Sequence, residues 1–222
     1  MTCRHCVDAA DLFSERIARR ELARYRRSGP AASTLLLLDA LRAQGVTDAT
    51  VLDVGGGVGA VQHELLAAGA RRGTGVDVSG AYLASARAEA ERRGTIDRLD
   101  LRRGDVVDLA PELPRADVVT LDRVLCCYPH LEALVTASCG RSTRLWGAVF
   151  PRENLWVRIG VAILNGLQIL RRKAFRVHLH GSRRVEDAVR AQGFALVAAA
   201  RTWLWEVRVF VRSPEPQSAP GG

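Results

Sequence analysis

Residues 50–59 read TVLDVGGGVG, an apolar run that breaks into a series of glycines. The apolar half is typical of a strand that is buried on both faces of a sheet. A helix is predicted to follow from Val58 and to stop at Gly69, because glycine commonly ends helices. The stretch therefore predicts a strand, a glycine turn and a helix N-terminus, whose free N–H groups can hold a nucleotide-like ligand.

The glycine spacing fits two classes of cofactor. Gly55, Gly57 and Ala60 match the G-x-G-x-x-G/A pattern with which dinucleotide enzymes place a pyrophosphate on the helix N-terminus. With Asp53 and Gly59 included, the stretch resembles the D/E-x-G-x-G-x-G motif of the S-adenosylmethionine (SAM) methyltransferases. A carboxylate at Asp53 suits the cationic amino-acid end of SAM and repels a pyrophosphate, so it favours SAM. For the glycines alone, a purely structural turn is the alternative.

Two further acidic residues stand where predicted strands end. The second predicted strand, residues 73–76, ends at Asp77, about 20 residues after the glycines, where such folds carry a ligand for the ribose hydroxyls. Asp105 follows the third predicted strand, residues 99–103, and matches the methyltransferase habit of contacting the adenine. The predicted cofactor site also includes the residue that follows each of these aspartates, Val78 and Val106.

A loop after the fourth predicted strand is the candidate reaction centre. That strand covers residues 117–121, and the loop begins at Asp122, which we assign to the cofactor site. In an open α/β sheet, the loops past the carboxyl ends of the strands carry the site. Residues 122–130 are therefore expected to face the transferred methyl group.

The remaining pattern predicts seven strands in one sheet. Residues 143–150 form the fifth predicted strand, and residues 194–200 and 203–211 alternate as an antiparallel pair. Together with the glycine turn, this order predicts an α/β, Rossmann-like class I methyltransferase fold. Its sheet is expected to be mostly parallel, with an antiparallel C-terminal hairpin.

The helices suggest how the chain is divided. Predicted helices at residues 8–27 and 33–44 form an N-terminal helical cap over residues 1–48, ahead of a SAM-binding domain over residues 49–212. An apolar helix at residues 154–170 is an insertion, and its lid segment at about 153–171 is suited to covering an apolar substrate. Proline, glycine and serine predict that the tail, residues 213–222, is disordered.

Composition limits the partners of the protein. The 222 residues, 48% of them hydrophobic, predict one domain with a full core. The net charge is +8 and Lys173 is the only lysine, but the arginines are scattered and no aromatic platform runs between them. We therefore expect no nucleic-acid partner. A mild attraction to an anionic substrate or lipid is left open, and with it peripheral membrane contact.

The cysteines and the N-terminus indicate a reducing compartment. Five cysteines, an odd number, and the lack of an apolar signal segment predict a cytoplasmic protein. Cys3 and Cys6 have the spacing of a metal knuckle, but no second pair follows, so no metal site is predicted. The apolar stretch at residues 155–170 is interrupted by Arg158 and is too short to span a membrane.

Beyond the fold, the chain resembles the magnesium-protoporphyrin O-methyltransferases over roughly residues 13–212. Four segments carry the resemblance: ARYRRSGP at 23–30, LDVGGGVGA at 52–60, LDRVLCCYP at 121–129 and FRVHLH at 175–180. Members of this family use SAM to methylate the propionate carboxylate of a chlorophyll precursor. The resemblance implies SAM-dependent O-methylation of a carboxylate on a small apolar acceptor.

The resemblance also implies candidate catalytic residues. Tyr25 matches the family's N-terminal tyrosine near the substrate and would orient the acceptor. Apart from the resemblance, the positive charge of Arg123 would pair with the charge of the acceptor. Cys127 stands just before Tyr-Pro, where some members carry a histidine. If the acceptor is a phenol or an alcohol rather than a carboxylate, a base is needed, and His130 is the first candidate.

Other functions are kept as alternatives. A methyltransferase acting on another small phenol, alcohol or amine is the first. A nicotinamide oxidoreductase is disfavoured by Asp53 and Asp105, and an RNA or DNA methyltransferase by the absence of the Asn/Asp-Pro-Pro-Tyr signature after strand four. A non-catalytic SAM-binding protein is disfavoured by the intact glycine motif. The oligomeric state is not predicted.

Overall fold

The computed structural model describes residues 14–171 and 175–214. The Cys3–Cys6 segment, the first part of the helix predicted from Asp8 and most of the predicted tail lie outside the described residues.

Within the described residues, the strands form one seven-stranded sheet in the order β3-β2-β1-β4-β5-β7-β6. Neighbouring strands are parallel from β3 to β5, and β7 runs antiparallel to both β5 and β6. The predicted fold, mostly parallel with an antiparallel C-terminal hairpin, is confirmed. The strands are β1 (Thr50–Val54), β2 (Arg72–Asp77), β3 (Leu99–Arg103), β4 (Ala116–Asp122), β5 (Ser142–Pro151), β6 (Phe194–Arg201) and β7 (Trp205–Arg212).

Helices cover the sheet and also cover the glycine turn. Short 3-10 helices occupy Ile96–Arg98, Ala110–Glu112 and Leu125–Cys127. The α-helices in the described residues are α1 (Glu15–Ser28), α2 (Ala32–Ala43), α3 (Ala60–Ala67), α4 (Gly80–Arg92), α5 (Val106–Leu109), α6 (Leu131–Arg141), α7 (Leu155–Leu170) and α8 (Ser182–Arg190).

The sheet is buried on both faces, as the apolar runs of its central strands require. Along β5, Trp146 and Phe150 pack into the core on one face, while Leu145 and Val149 pack into the core on the other. Trp146 is fully buried, and its indole N–H donates to Ser138 Oγ at 3.0 Å, so its one polar atom is satisfied. Side-chain alternation thus anchors one strand in two cores at once.

The first two helices have different surroundings. On α2, Leu37 and Leu41 pack against β5 and β7, so this helix belongs to the layer that covers the sheet. On α1, Leu22 and Tyr25 pack with Val58 of the glycine turn. Helix α1 therefore covers the turn, which positions it beside the candidate site.

Helix α7 is inserted between β5 and α8 and is largely exposed. It is described along its whole length, and only Val157 among its residues is buried. Among the described residues, none of the helices combines the length and the hydropathy that a membrane-spanning segment requires.

Local geometry explains where the predicted boundaries are wrong. The helix predicted from Val58 begins at Ala60, because Gly59 adopts a left-handed φ of 80° and forms the N-cap. Helix α5 is only 4 residues long and was not predicted, since a single turn shows no periodicity in sequence.

Candidate active site

A cavity of about 400 Å³ lies at the carboxyl ends of the parallel strands. Its floor includes the glycine turn after β1, and its walls come from α1, the strand ends and the segment before α8. The predicted site residues that line it are Tyr25, Gly55, Gly57, Asp77, Val78, Asp105, Val106, Asp122, Arg123 and Cys127. Tertiary structure thus brings together residues that lie about a hundred positions apart in sequence.

The turn requires glycine for two separate reasons. Gly55, Gly57 and Gly59 have φ values of 61°, 56° and 80°, the left-handed region that other residues adopt only with strain. At Gly55 a Cβ atom would also lie 2.5 Å from Val124 Cγ2. Gly55 and Gly57 line the cavity, whereas Gly59 caps α3 beneath it.

Asp77 fastens the turn to the end of β2. Its Oδ2 accepts the N–H of Gly57 at 3.0 Å and its Oδ1 accepts the N–H of Ser79 at 2.8 Å. Burial raises the pKa of this carboxyl, while the two N–H donors oppose the rise. Each carboxylate oxygen can accept more than one hydrogen bond, so Asp77 can also accept from a ligand hydroxyl.

Asp105 orders the neighbouring edge of the cavity. Its Oδ1 caps α5 by accepting the N–H of Val107 at 2.9 Å, and its Oδ2 accepts the hydroxyl of Tyr128 at 3.0 Å. The cap directs Val106 into the cavity wall. The Tyr128 contact joins the end of β3 to the loop after β4, as the shared strand edge predicts.

Asp122 and Arg123 form the part of the cavity next to Trp205. The hydroxyl of Thr34 donates to Asp122 Oδ2 at 2.6 Å, and the guanidinium of Arg123 contacts the same carboxylate at 3.2 Å. Arg123 is a non-glycine residue with a φ of 62°. Its guanidinium carbon lies 5.9 Å from the centre of the Trp205 ring. The positive φ of Arg123 is a form of backbone strain that is often found at binding sites.

Asp53 does not line the cavity, which corrects the direct cofactor contact predicted for it. The side chain is fully buried beneath the turn, where Thr120 donates to its Oδ1 at 2.8 Å. Its Oδ2 lies 2.7 Å from the point where a Cβ of Gly56 would stand. Burial raises the pKa of Asp53 to about 7. Asp53 therefore supports the turn from below.

Tyr25 faces the cavity, but its hydroxyl is used in an internal network. The hydroxyl donates to Glu64 Oε1 at 2.8 Å and accepts from Arg93 Nη2 at 2.8 Å. Its ring stacks on His63 with centres 6.4 Å apart, and burial raises the pKa of the phenol. The network joins α1 to α3 and α4. The predicted contact with an acceptor has to come from the ring rather than from the hydroxyl.

His130 and Cys127 are placed differently although they are close in sequence. His130 is exposed at the N-terminus of α6 and does not line the cavity, so it is not placed to act as a base there. Cys127 does line the cavity, and its Sγ lies 3.9 Å from Sγ of Cys126. Their hydrogen bond lowers the pKa of Cys127 and raises that of Cys126.

Several lining residues are absent from the predicted site. Phe175 and Val177 lie in a segment that carried the family resemblance, and Tyr128 directly follows a predicted residue, so the sequence held a signal for these three. Arg24 lies beside Tyr25 in another of those segments, so the sequence held a signal for it too. The others gave none, because each reaches the cavity from a separate element: they are Glu21, Thr34, Tyr82 and Trp205.

The arrangement suits a polar cofactor beside an apolar acceptor. The carboxylates of Asp77, Asp105 and Asp122 offer hydrogen-bond acceptors along one edge, and valines, Phe175 and Trp205 form apolar walls. Among the described residues, no group of three or more His, Cys, Asp or Glu is placed to hold a metal ion.

The central part of the chain matches a known protein family. Residues 51–143 match a family described as "Methyltransferase domain". Ribosomal protein L11 methyltransferase from Escherichia coli O8 (strain IAI1) is 36% identical over 92 residues. That match covers 41% of this chain and 30% of the relative, so the chain spans less than a third of the relative's length.

Solved structures share the fold over nearly the whole chain. The structure of magnesium protoporphyrin IX methyltransferase from Synechocystis PCC 6803, with bound SAH, matches with a TM-score of 0.73 at 19% identity. The match covers 94% of this chain and 100% of that chain. A putative sarcosine dimethylglycine methyltransferase from Galdieria sulphuraria has a TM-score of 0.67 at 10% identity, with coverages of 82% and 85%. The TM-scores show that the fold is shared, and this likeness confirms the predicted Rossmann-like fold.

The glycine turn is expected to be intolerant of a side chain at Gly55. Gly55→Ala should lower the free energy of unfolding by about 2–5 kcal/mol, because left-handed strain and the contact with Val124 add together. Gly94→Ala is the matched control, since Gly94 has a φ of 65° and open space around it. The control should cost only about 1–2 kcal/mol in chemical denaturation. Equal losses at the two positions would contradict the steric role of Val124.

The buried carboxyl beneath the turn is expected to make stability depend on pH. The pKa of Asp53 is raised to about 7 in the folded protein, so its stabilising contribution is complete below about pH 4 and is lost as the pH rises to about 7. Relative to Asp53→Asn, the wild type should lose roughly 1.4 kcal/mol per pH unit in that window. Urea denaturation of both proteins at several pH values measures this difference. A constant difference would show that Asp53 is ionised throughout.

Proposed function

Since residues 51–143 form a methyltransferase domain within a class I fold, we propose that the protein is a SAM-dependent methyltransferase acting on a small apolar acceptor. The proposed methyl-accepting group is a carboxylate, and magnesium protoporphyrin IX is the first candidate acceptor. The observation that supports this best is that one cavity holds the glycine turn, the strand-end carboxylates and Arg123.

The residues of the cavity fit SAM. The turn lacks the Cβ atoms that would fill the cradle, and Asp77 retains the acceptor capacity that ribose hydroxyls need. Asp105 and Val106 line the same cavity, and we assign the adenine to them. Asp122, rather than the buried Asp53, is the carboxylate that faces the cavity beside the turn and would meet the cationic amino group. When bound, SAM would supply a methyl group carried on a positively charged sulfur.

The side chains of the cavity are better suited to positioning than to proton transfer. The described residues that line it include no histidine. The hydroxyls of Tyr25 and Tyr82 donate to Glu64 and Glu21, and their pKa values are raised by burial. A carboxylate acceptor is ionised at neutral pH and needs no base. Holding it in line and excluding water would then supply most of the acceleration, on the order of 7–11 kcal/mol at best.

Arg123 is the cation that would receive the acceptor's carboxylate. Its guanidinium is held by Asp122 and lies against the ring of Trp205, so its position is fixed from two sides. Phe175 and Val177 form the apolar wall of the same cavity. An acceptor that binds Arg123 through a carboxylate and this wall through an apolar body is an amphipathic acid.

The extent of the structural similarity supports magnesium protoporphyrin IX as the acceptor, and the size of the cavity limits how much of the molecule can enter. The similar structure from Synechocystis covers 94% of this chain. A volume of about 400 Å³ is near the lower end for ligand sites, so a bound macrocycle would insert its propionate and leave much of its ring outside. Some members of the family that this chain resembles carry histidine at the position of Cys127. An acceptor assay must therefore show whether cysteine there permits methylation of the porphyrin.

The ribose assignment is tested at Asp77. Asp77→Asn should weaken SAM binding at least about tenfold, because one lost hydrogen bond to a charged group is worth roughly 1.5–3 kcal/mol. Isothermal titration calorimetry with SAM measures the change. Asp97→Asn, an exposed aspartate in the 3-10 helix before β3, is the matched control and should bind SAM like the wild type. Unchanged affinity in a folded Asp77→Asn protein would remove Asp77 from the cofactor site.

Methyl transfer itself tests the acceptor. Incubation with SAM and magnesium protoporphyrin IX, followed by mass spectrometry, should yield the methyl ester. The rate should stay flat between about pH 6 and 9, because a carboxylate needs no base in that range. SAM binding without ester formation, together with turnover of a phenol and a rate that rises with pH, would move the reaction to a base-dependent acceptor. Absence of SAM binding would overturn the function as a whole.

A further inference from the structure

An exposed apolar surface lies on helix α7 and the adjacent β6–β7 turn. We define the α7 surface by the large apolar side chains that are exposed on the outward face of α7 and on the turn, which are Leu155, Trp156, Ile159, Ile163, Leu167, Leu170, Trp203 and Leu204. We propose that the α7 surface docks onto anionic lipid bilayers, with the helix lying in the headgroup region. The proposal does not depend on the proposed methyl transfer.

The face of α7 that points away from the protein is the apolar one. Val157, Val161, Asn165 and Gln168 are the less exposed positions of the helix, and their spacing of three or four residues marks its packing face. The residues of the α7 surface fall on the opposite side. The exposed fractions there reach 69% at Trp156, 60% at Ile163 and 80% at Leu170. A helix packed in this way would normally be polar outside, so the apolar face calls for a partner.

The β6–β7 turn extends the same surface at the N-terminus of α7. The side chain of Asn154, the N-cap residue, contacts the carbonyl of Trp203 at 3.5 Å. The N–H of Arg152 donates to the carbonyl of Leu204 at 2.9 Å. Trp203 is 68% exposed, and Trp156, two residues after Asn154, is 69% exposed. Two tryptophans at one end of an apolar face are typical of contact with a membrane interface.

The charges around the α7 surface match anionic lipid. The exposed Glu153 precedes the N-cap of α7, and no further Asp or Glu occurs before Glu186. Arg158 and Arg171 are exposed, and neither forms a salt bridge with any described residue. Each cation near an anionic membrane surface contributes about 1 kcal/mol. The apolar face and its cations thus attract a bilayer by two independent forces.

The same charges disfavour a second copy of the chain as the occupant. Two copies that joined face to face through α7 would bring the arginines of both helices near one another, with no acidic residue on either segment to offset them. The helix has 16 residues, about 24 Å, and does not qualify as a span, so its fit is to the surface of a bilayer rather than to its interior.

The α7 surface is mechanically connected to the cavity. Asn165 of α7 binds the main chain of Val177 twice, donating to its carbonyl and accepting its N–H, both at 2.9 Å. Val177 and Phe175 line the cavity. If the proposed function holds, an apolar acceptor dissolved in the bilayer would reach the cavity from the docked side.

Vesicle flotation tests the proposal on the whole chain. Vesicles of phosphatidylcholine alone are compared with vesicles in which about one third of the lipid is phosphatidylglycerol. The wild type should float with the anionic vesicles, and binding should fall as salt is raised, because salt screens the arginines. Tryptophan fluorescence should shift to the blue in the same samples. Failure to bind anionic vesicles at low salt would overturn the proposal.

Substitutions separate the α7 surface from the general positive charge. Ile163→Glu should reduce the bound fraction at least about tenfold, since it places a charge in the buried layer of the interface. Leu35→Glu on α2 is the matched control, because Leu35 is 41% exposed on another helix, and its binding should equal that of the wild type. Equal binding by Ile163→Glu and the wild type would refute the location. A dimer in light scattering that Ile163→Glu dissociates would assign the surface to a second copy instead.

Discussion

The left-handed glycine turn between β1 and α3 is the constraint on which the site depends. It is held from three sides: Asp53 lies beneath it, Val124 packs above it and the Asp77 carboxylate binds the N–H of Gly57. A side chain at Gly55 would collide with Val124, and one at Gly56 would collide with Asp53. Since the same groups belong to β1, β2 and the loop after β4, the turn fixes how three strand ends meet. The cavity follows from that convergence.

Charge is distributed around the turn according to burial. Asp53 is fully buried and its pKa is raised to about 7, so it acts as a structural hydrogen-bonding group. Asp77, Asp105 and Asp122 face the cavity, and each is already fixed by donors from its own surroundings. Four acidic residues of similar appearance in sequence therefore have two different physical roles, which are set by access to the cavity.

The helices around the site connect it to the rest of the surface. Helix α1 covers the glycine turn through Tyr25, whose hydroxyl bridges Glu64 and Arg93, while α7 holds Val177 through Asn165. The cavity is thus bordered by Tyr25, which a charged network holds, and by Val177, which is held by a helix with an exposed apolar face. This asymmetry separates the polar region proposed for the cofactor from the apolar side proposed for the acceptor and for lipid.

The sequence by itself determined the strands, their order of appearance and the glycine-turn and strand-end residues of the cavity, because buried parallel strands and glycine turns leave local patterns. It predicted Asp77, Asp105, Asp122 and Arg123 at the site for the same reason. Only the tertiary structure decided burial and direction: it turned Asp53 under the turn, placed His130 outside the cavity and engaged the hydroxyl of Tyr25 elsewhere. Contributions from distant elements, such as Thr34 and Trp205, leave no local pattern, because packing alone brings them together.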